Sequence, residues 1–159
     1  MKRASLLAAG VLAASLLPAW ATTVSEVRVD AALDSAETNV LDRWPTIEAD
    51  LERAVVEALA NDRDRNGWIV EIKLQEVSLS GAAVLPEDGE FNTLVGWIYV
   101  YPDDNKVRVE EKKITLSAVT GDAPMPANTV AVVLPSDDAF YNALLQAFAQ
   151  KTQEFVEGI

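Results

Sequence analysis

Histidine and cysteine are both absent from this chain of 159 residues. Their absence removes Ser-His-Asp and Cys-His nucleophilic groups, metal sites built from imidazole or thiolate, CxxC redox pairs and any disulfide framework. Carboxylate chemistry or binding remains. Positive charge is also scarce, with 13 Lys and Arg against 25 Asp and Glu and a formal net charge of −12. Such a surface repels phosphate backbones and anionic head groups over about a Debye length, so no nucleic-acid partner is expected. There is no internal repeat, low-complexity tract or linker, and the length suits one domain.

What is present begins with a segment of different character. Lys2 and Arg3 precede an apolar run from Leu6 to Leu17, and Ala19-Trp20-Ala21 offers small residues at the two positions a signal peptidase reads. Residues 1–21 therefore read as a cleaved signal peptide and 22–159 as a single mature domain. The twelve residues of this run, broken only by small residues, would rise only about 18 Å as a helix, short of the roughly 20 residues a membrane span needs, so no transmembrane segment is expected in the mature chain. No cysteine follows to carry a lipid and no twin-Arg pair precedes the run. The expected location is periplasmic or secreted, through a bacterial-type signal. Removing residues 1–21 takes two bases and no acids from 13 and 25, leaving 11 against 25 and a formal charge of −14. The charge suits solubility in an exposed compartment, or attraction of cations or a basic partner. Without disulfides, packing alone must stabilise the fold, and a chain of this length buries enough surface to do so.

Periodicity gives the elements. Val27, Val29, Ala31 and Leu33 alternate with more polar residues and predict a strand. Ile47, Leu51, Ala54, Val55, Ala58 and Leu59 recur every three or four residues, which predicts an amphipathic helix with Pro45 in its first turn and Asn61 at its end. Trp68, Val70, Ile72 and Leu74 alternate again before the apolar phase slips by one to Val77 and Leu79. That slip predicts a bulge near Gln75-Glu76. Residues 81–90 read as a loop. Phe91 to Tyr101 and Lys106 to Val119 flank the turn-rich Pro102-Asp103-Asp104-Asn105 and predict a long hairpin.

Pairing across that turn sets Val100 opposite Val107 and Ile98 opposite Val109, with a second slip after Val109. The expected core face is then Leu94, Ile98, Val100, Val107, Val109, Ile114 and Leu116. Gly121 to Asn128 reads as a loop and Thr129 to Leu134 as a further strand. Ser136 before Asp137 and Asp138 predicts a capped helix whose apolar face includes Phe140, Tyr141, Leu144, Leu145, Phe148 and Phe155. The order β-α-β-β-β-(β)-α predicts an α+β two-layer sandwich, a mainly antiparallel sheet of four to five strands with two helices on one face. If the first two strands are parallel, they and the helix between them form a right-handed crossover. In element order the chain resembles the small helix-on-sheet domains of bacterial envelope-assembly lipoproteins, such as the lipopolysaccharide-assembly lipoprotein family. Such proteins carry a lipid-bearing cysteine, which this chain lacks.

Three surfaces are candidates for function. Asp62, Asp64 and Asn66, with Gly67 at the sixth position, match the first half of a calcium loop, but Lys73 occupies the twelfth position, where a bidentate Glu belongs. Calcium is thus a weak expectation and no other cofactor is indicated; the alternative is a polar helix-to-strand turn. Carboxylate pairs could support glycoside hydrolysis, yet the acids fall on helix faces, helix starts and loops that solvation explains, and no enzyme is expected. The outer hairpin face carries Val95, Trp97, Tyr99 and Tyr101 beside Arg108, Glu111 and Lys113. Aromatics suit strands in any case, but Trp and Tyr on an open face also supply most contact energy in interfaces. This stripe is the preferred candidate, for a protein partner in the cell envelope. The sequence leaves oligomeric state open.

Overall fold

The longest strand, β2 (Trp68–Ser78), organises the fold. A computed structural model describes residues 22–31, 33, 39–82, 84–88, 91–102, 110–119, 129–131 and 137–159. The expected signal peptide at residues 1–21, the turn Asp103 to Asn105, and the loop at 121–128 with Ser136 lie outside the described residues. So do Val107, Arg108 and Val109.

On one side of β2 runs β1 (Val24–Asp30), parallel to it, with Val27 opposite Val70 and Val29 opposite Ile72. On the other runs β3 (Thr93–Pro102), antiparallel. Next come β4 (Glu110–Val119), antiparallel to β3, and the short β5 (Thr129–Ala131), parallel to β4. Among the described residues the sheet has five strands, in the order β1-β2-β3-β4-β5. It is mixed, with its longer ladders antiparallel and a parallel pair at each edge. The expected bulge is present: Leu74 pairs with Gly96 and Glu76 with Val95, so Gln75 is the extra residue. Without it Val77, which is buried, would point away from the core.

The register of β3 with β4 corrects the pairing expected from the sequence. Ile98 lies opposite Lys112 and Val100 opposite Glu110, and the pairing runs without a slip to Thr93 and Ser117. This register sets Leu94 against Leu116 and Gly96 against Ile114, facing the core. The cost is a lysine on the inner face. Lys112 meets that cost by carrying its ammonium out over the Phe155 ring, 5.3 Å from its centroid.

Among the described residues, three helices complete the fold. A single turn, α1 (Val40–Arg43), which the sequence periodicity does not show, precedes α2 (Ile47–Ala58), and α3 (Asp137–Glu157) closes the fold. Pro45 falls before the N-cap Thr46 rather than in the first turn of α2, because α1 and Trp44 occupy the approach. A 3-10 turn, Ala60–Asp62, follows α2. Ile47, Leu51 and Val55 of α2 join Tyr141, Leu144, Leu145, Phe148 and Val156 of α3 in one core with the inner face of the sheet. Each fully buried aliphatic or aromatic side chain contributes about 1.5–3 kcal/mol relative to exposure, so this one layer of contact supplies most of the stability.

Two features tie the layers together. Gly67 lets the chain pass tightly beneath β1: a Cβ there would come within 2.7 Å of backbone atoms of Thr23 and Ser25. Arg63 then donates from Nη2 to the Ser25 carbonyl oxygen at 2.9 Å, while Asp64 N donates to the Val24 carbonyl, so residues 63–64 cover the start of the outer edge of β1. At the helix layer, Trp44 stacks on Tyr141 at 3.8 Å between ring centroids, and Phe91 meets both rings edge-on. The Tyr141 hydroxyl donates to Asp50 Oδ2 at 2.8 Å, beside Thr46 Oγ1 at 2.7 Å and Arg53 on the other oxygen. The Thr46 and Tyr141 hydrogen bonds hold the Asp50 carboxyl below its ordinary range, while burial, reinforced by Asp50, raises Tyr141.

Two predictions follow from these ties. Gly67→Ala should lower stability by about 1–3 kcal/mol, because the clashing atoms are backbone and cannot rotate away; denaturant unfolding measures it. Asp50 favours the folded state only where it is ionised. Its contribution is complete above the unfolded carboxyl range and fades as pH falls through the lowered folded value. Asp50→Asn should therefore be less stable than wild type at pH 7 and lose less stability on acidification to pH 2, read as Tm against pH.

Candidate functional site

Alternation along a strand sends every second side chain away from the helices, and directly paired residues on adjacent strands share a face. The outer face of the sheet therefore follows from the register. One row across it reads Asp30, Lys73, Trp97 and Lys113; the next reads Arg28, Glu71, Tyr99 and Glu111. Further along, Ile69 pairs with Tyr101, and beyond the bulge Glu76 pairs with Val95, which in turn faces Thr115.

The stripe expected on this face is continuous, but its members differ in exposure. Val95 and Tyr101 are each only 6% exposed, whereas Trp97 and Tyr99 at the centre are half-buried. The rings of Trp97 and Tyr99 are near-parallel, 11° apart with centroids at 6.3 Å. Lys113 holds its ammonium 6.0 Å from the Trp97 centroid, a cation–π contact worth about 0.5–1 kcal/mol at such a site. The indole N–H of Trp97 donates to Gln75 Oε1 at 3.0 Å, so the extra residue of the bulge also orients the central ring. Trp97 is thus held between β2 and β4 by a hydrogen bond on one side and a lysine on the other.

Charge is arranged around these rings in pairs. Tyr101 donates to Glu71 Oε2 at 3.3 Å, and Lys73 Nζ lies 3.4 Å from Glu71 Oε1. Burial, with the Glu71 charge second, raises the Tyr101 hydroxyl above its ordinary value. At the sheet edge the Arg28 guanidinium grips both oxygens of Glu26 at 2.7 Å, lowering the Glu26 carboxyl and raising Arg28. The face is consequently an apolar strip with a lysine on both flanks at Trp97 and a glutamate on both flanks at Tyr99. Sequence alternation marks Trp97 and Tyr99 as neighbours of polar strands, but only the register shows that Lys73 and Glu71 complete these rows. Of the seven residues expected on this face, six share it, and Arg108 lies outside the described residues.

The half calcium loop is placed differently. Asp64 Oδ1 accepts the Asn66 N–H at 2.8 Å and the Asp64 carbonyl accepts the Gly67 N–H, which is the hydrogen bonding of a tight polar turn. Asp62 sits in the preceding 3-10 turn with Oδ2 buried and without a partner among the described residues. Among the described residues no group of three Asp or Glu side chains is placed to hold a metal ion. One concavity among the described residues is a groove of about 290 Å³ between α2 and α3, lined by Asp50, Arg53, Glu57, Tyr141, Asn142 and Gln146. No helix of the described residues is long and apolar enough to cross a membrane. With Asp64 closing the turn, calcium up to millimolar should leave Trp68 fluorescence and Tm unchanged; a shift that Asp62→Asn abolishes would assign the loop to metal binding.

No protein-family model matches the chain, and no curated protein does. Among solved structures, a lipoprotein candidate from Caulobacter crescentus CB15 is similar at 11% identity and a TM-score of 0.49, over 86% of this chain and 89% of that one. A Xanthomonas campestris protein of the DUF330 family is similar at 15% identity and a TM-score of 0.48, over 89% and 86%. A PelC variant dodecamer from Paraburkholderia phytofirmans stands at 10% and 0.45, over 83% and 86%. Likenesses of this size fix neither an activity nor a partner.

Proposed function

We propose that this chain is an exported, non-enzymatic binding or envelope-assembly accessory domain that docks a protein partner on the outer face of its sheet. Export is supported by Lys2 and Arg3, the Leu6 to Leu17 run and the small residues around Trp20. The observation that carries the docking reading is the central pair Trp97 and Tyr99. These are two near-parallel rings on the sheet face opposite the helices, and Gln75 and Lys113 hold the Trp97 ring in place. Rigid aromatic side chains give large contact area at low entropic cost, which is why they dominate interface energetics. Their flanking lysines and glutamates form a polar rim around an apolar strip, the usual anatomy of a protein interface.

The non-enzymatic part of the reading is supported by Asp50. Asp50 lines the α2–α3 groove, and its carboxyl is held below its ordinary range, the opposite of what a general acid needs. The double variant Trp97→Ser with Tyr99→Ser should keep its far-UV circular dichroism and cooperative unfolding while losing partner capture in a crosslinking pull-down from periplasmic extract. Undiminished capture would remove the outer face from the reading, and an unfolded variant would show that the two rings belong to the core.

A further inference from the structure

Resting on the outer face as a docking surface, we infer that its occupant is a second copy of this chain, packed sheet to sheet about a two-fold axis that crosses the strands. The two central rows of the face are electrostatic opposites, strand by strand. Where one row has Asp30 on β1, the next has Arg28; Lys73 on β2 is matched by Glu71, and Lys113 on β4 by Glu111. On β3 the two rows carry Trp97 and Tyr99.

A two-fold axis lying between the sheets, across the strands and level with Ile98, lays each row of one copy over the other row of its partner. Trp97 then covers the partner's Tyr99. Lys73 meets the partner's Glu71, and Lys113 meets the partner's Glu111. The alternative two-fold axis, along the strands, exchanges β2 with β4 and sets Lys73 on the partner's Lys113 and Glu71 on the partner's Glu111. Like charges in contact are repulsive, so the charge pattern selects the first axis. Aligned sheets cross at about 30° and pack about 10 Å apart, a geometry that the long side chains next to β3 can bridge. Such a pair is isologous and closed.

The existing contacts fit this arrangement. The Lys73–Glu71 pair within one copy runs along the strand at 3.4 Å, so each group can be shared with a partner group without being stripped of its own. The acidic balance of the chain opposes association at long range, but that repulsion is screened beyond about 8 Å at physiological salt.

Sedimentation equilibrium at physiological salt tests the pairing. Wild type should show twice the monomer mass in the micromolar range. Lys73→Glu with Lys113→Glu, and separately Glu71→Lys with Glu111→Lys, should each weaken self-association by at least about 100-fold. Because the two altered faces are complementary, mixing these variants should restore a dimer containing one of each. If either charge variant fails to fold, wild type and the Trp97→Ser, Tyr99→Ser variant still decide. Wild type monomeric at 100 times the working concentration overturns self-pairing, as does a dimer that survives the double serine substitution. A wild type that is monomeric yet captures another envelope protein through Trp97 and Tyr99 overturns the second copy alone and leaves the docking surface standing. Loss of both outcomes overturns the surface itself.

Discussion

Gln75 has no partner on β3, and that one unpaired residue decides which side of the longest strand faces the helices. Before it, Val70, Ile72 and Leu74 point inward; after it, Val77 does. A strand without the insertion would turn Val77 to the outer face and Glu76 to the core, and a buried unpaired carboxylate would cost several kcal/mol. The bulge therefore keeps the inner face apolar from end to end. Gln75 also accepts the hydrogen bond from Trp97, so the residue that preserves the core positions the central ring of the opposite face. Core and surface depend on one local irregularity.

That irregularity is legible in the sequence because a change of phase in an alternating pattern has few physical causes. So is α2, whose apolar residues recur at helical spacing, and so is the identity of the outer stripe on β3, since parity alone separates Trp97 and Tyr99 from Ile98 and Val100. The register between β3 and β4 is not legible. Matching valine with valine favours Val107 and Val109 as partners, whereas the folded sheet sets Lys112 opposite Ile98. A lysine reads as polar by composition, yet its stem is apolar and its ammonium can reach Phe155 on α3, a residue far away in sequence. The charge rows of the outer face depend on that same register. The residues of each row come from four strands, and no local pattern could bring them together.

The helix layer shows the same division. The apolar face of α3 is readable, but the stacking of Trp44 on Tyr141 and the Asp50 hydrogen bond are contacts between elements whose approach depends on α1, a turn too short to leave a periodic signal. Pro45 illustrates the limit: it marks a helix start correctly to within two residues, and tertiary packing chooses which of them is the cap.

The contact of Arg63 with the Ser25 carbonyl, together with the Asp64 bond to Val24, has a consequence for how molecules of this chain behave in a crowd. An uncovered outermost strand offers its backbone as a template on which further strands can be added without end, the route to fibres and precipitates. Here the start of that strand is already engaged by its own chain, and the rest of it displays Glu26, Arg28 and Asp30. Growth along the sheet is discouraged where it would be open-ended, so the broad side of the sheet can be sticky without making the molecule prone to polymerise.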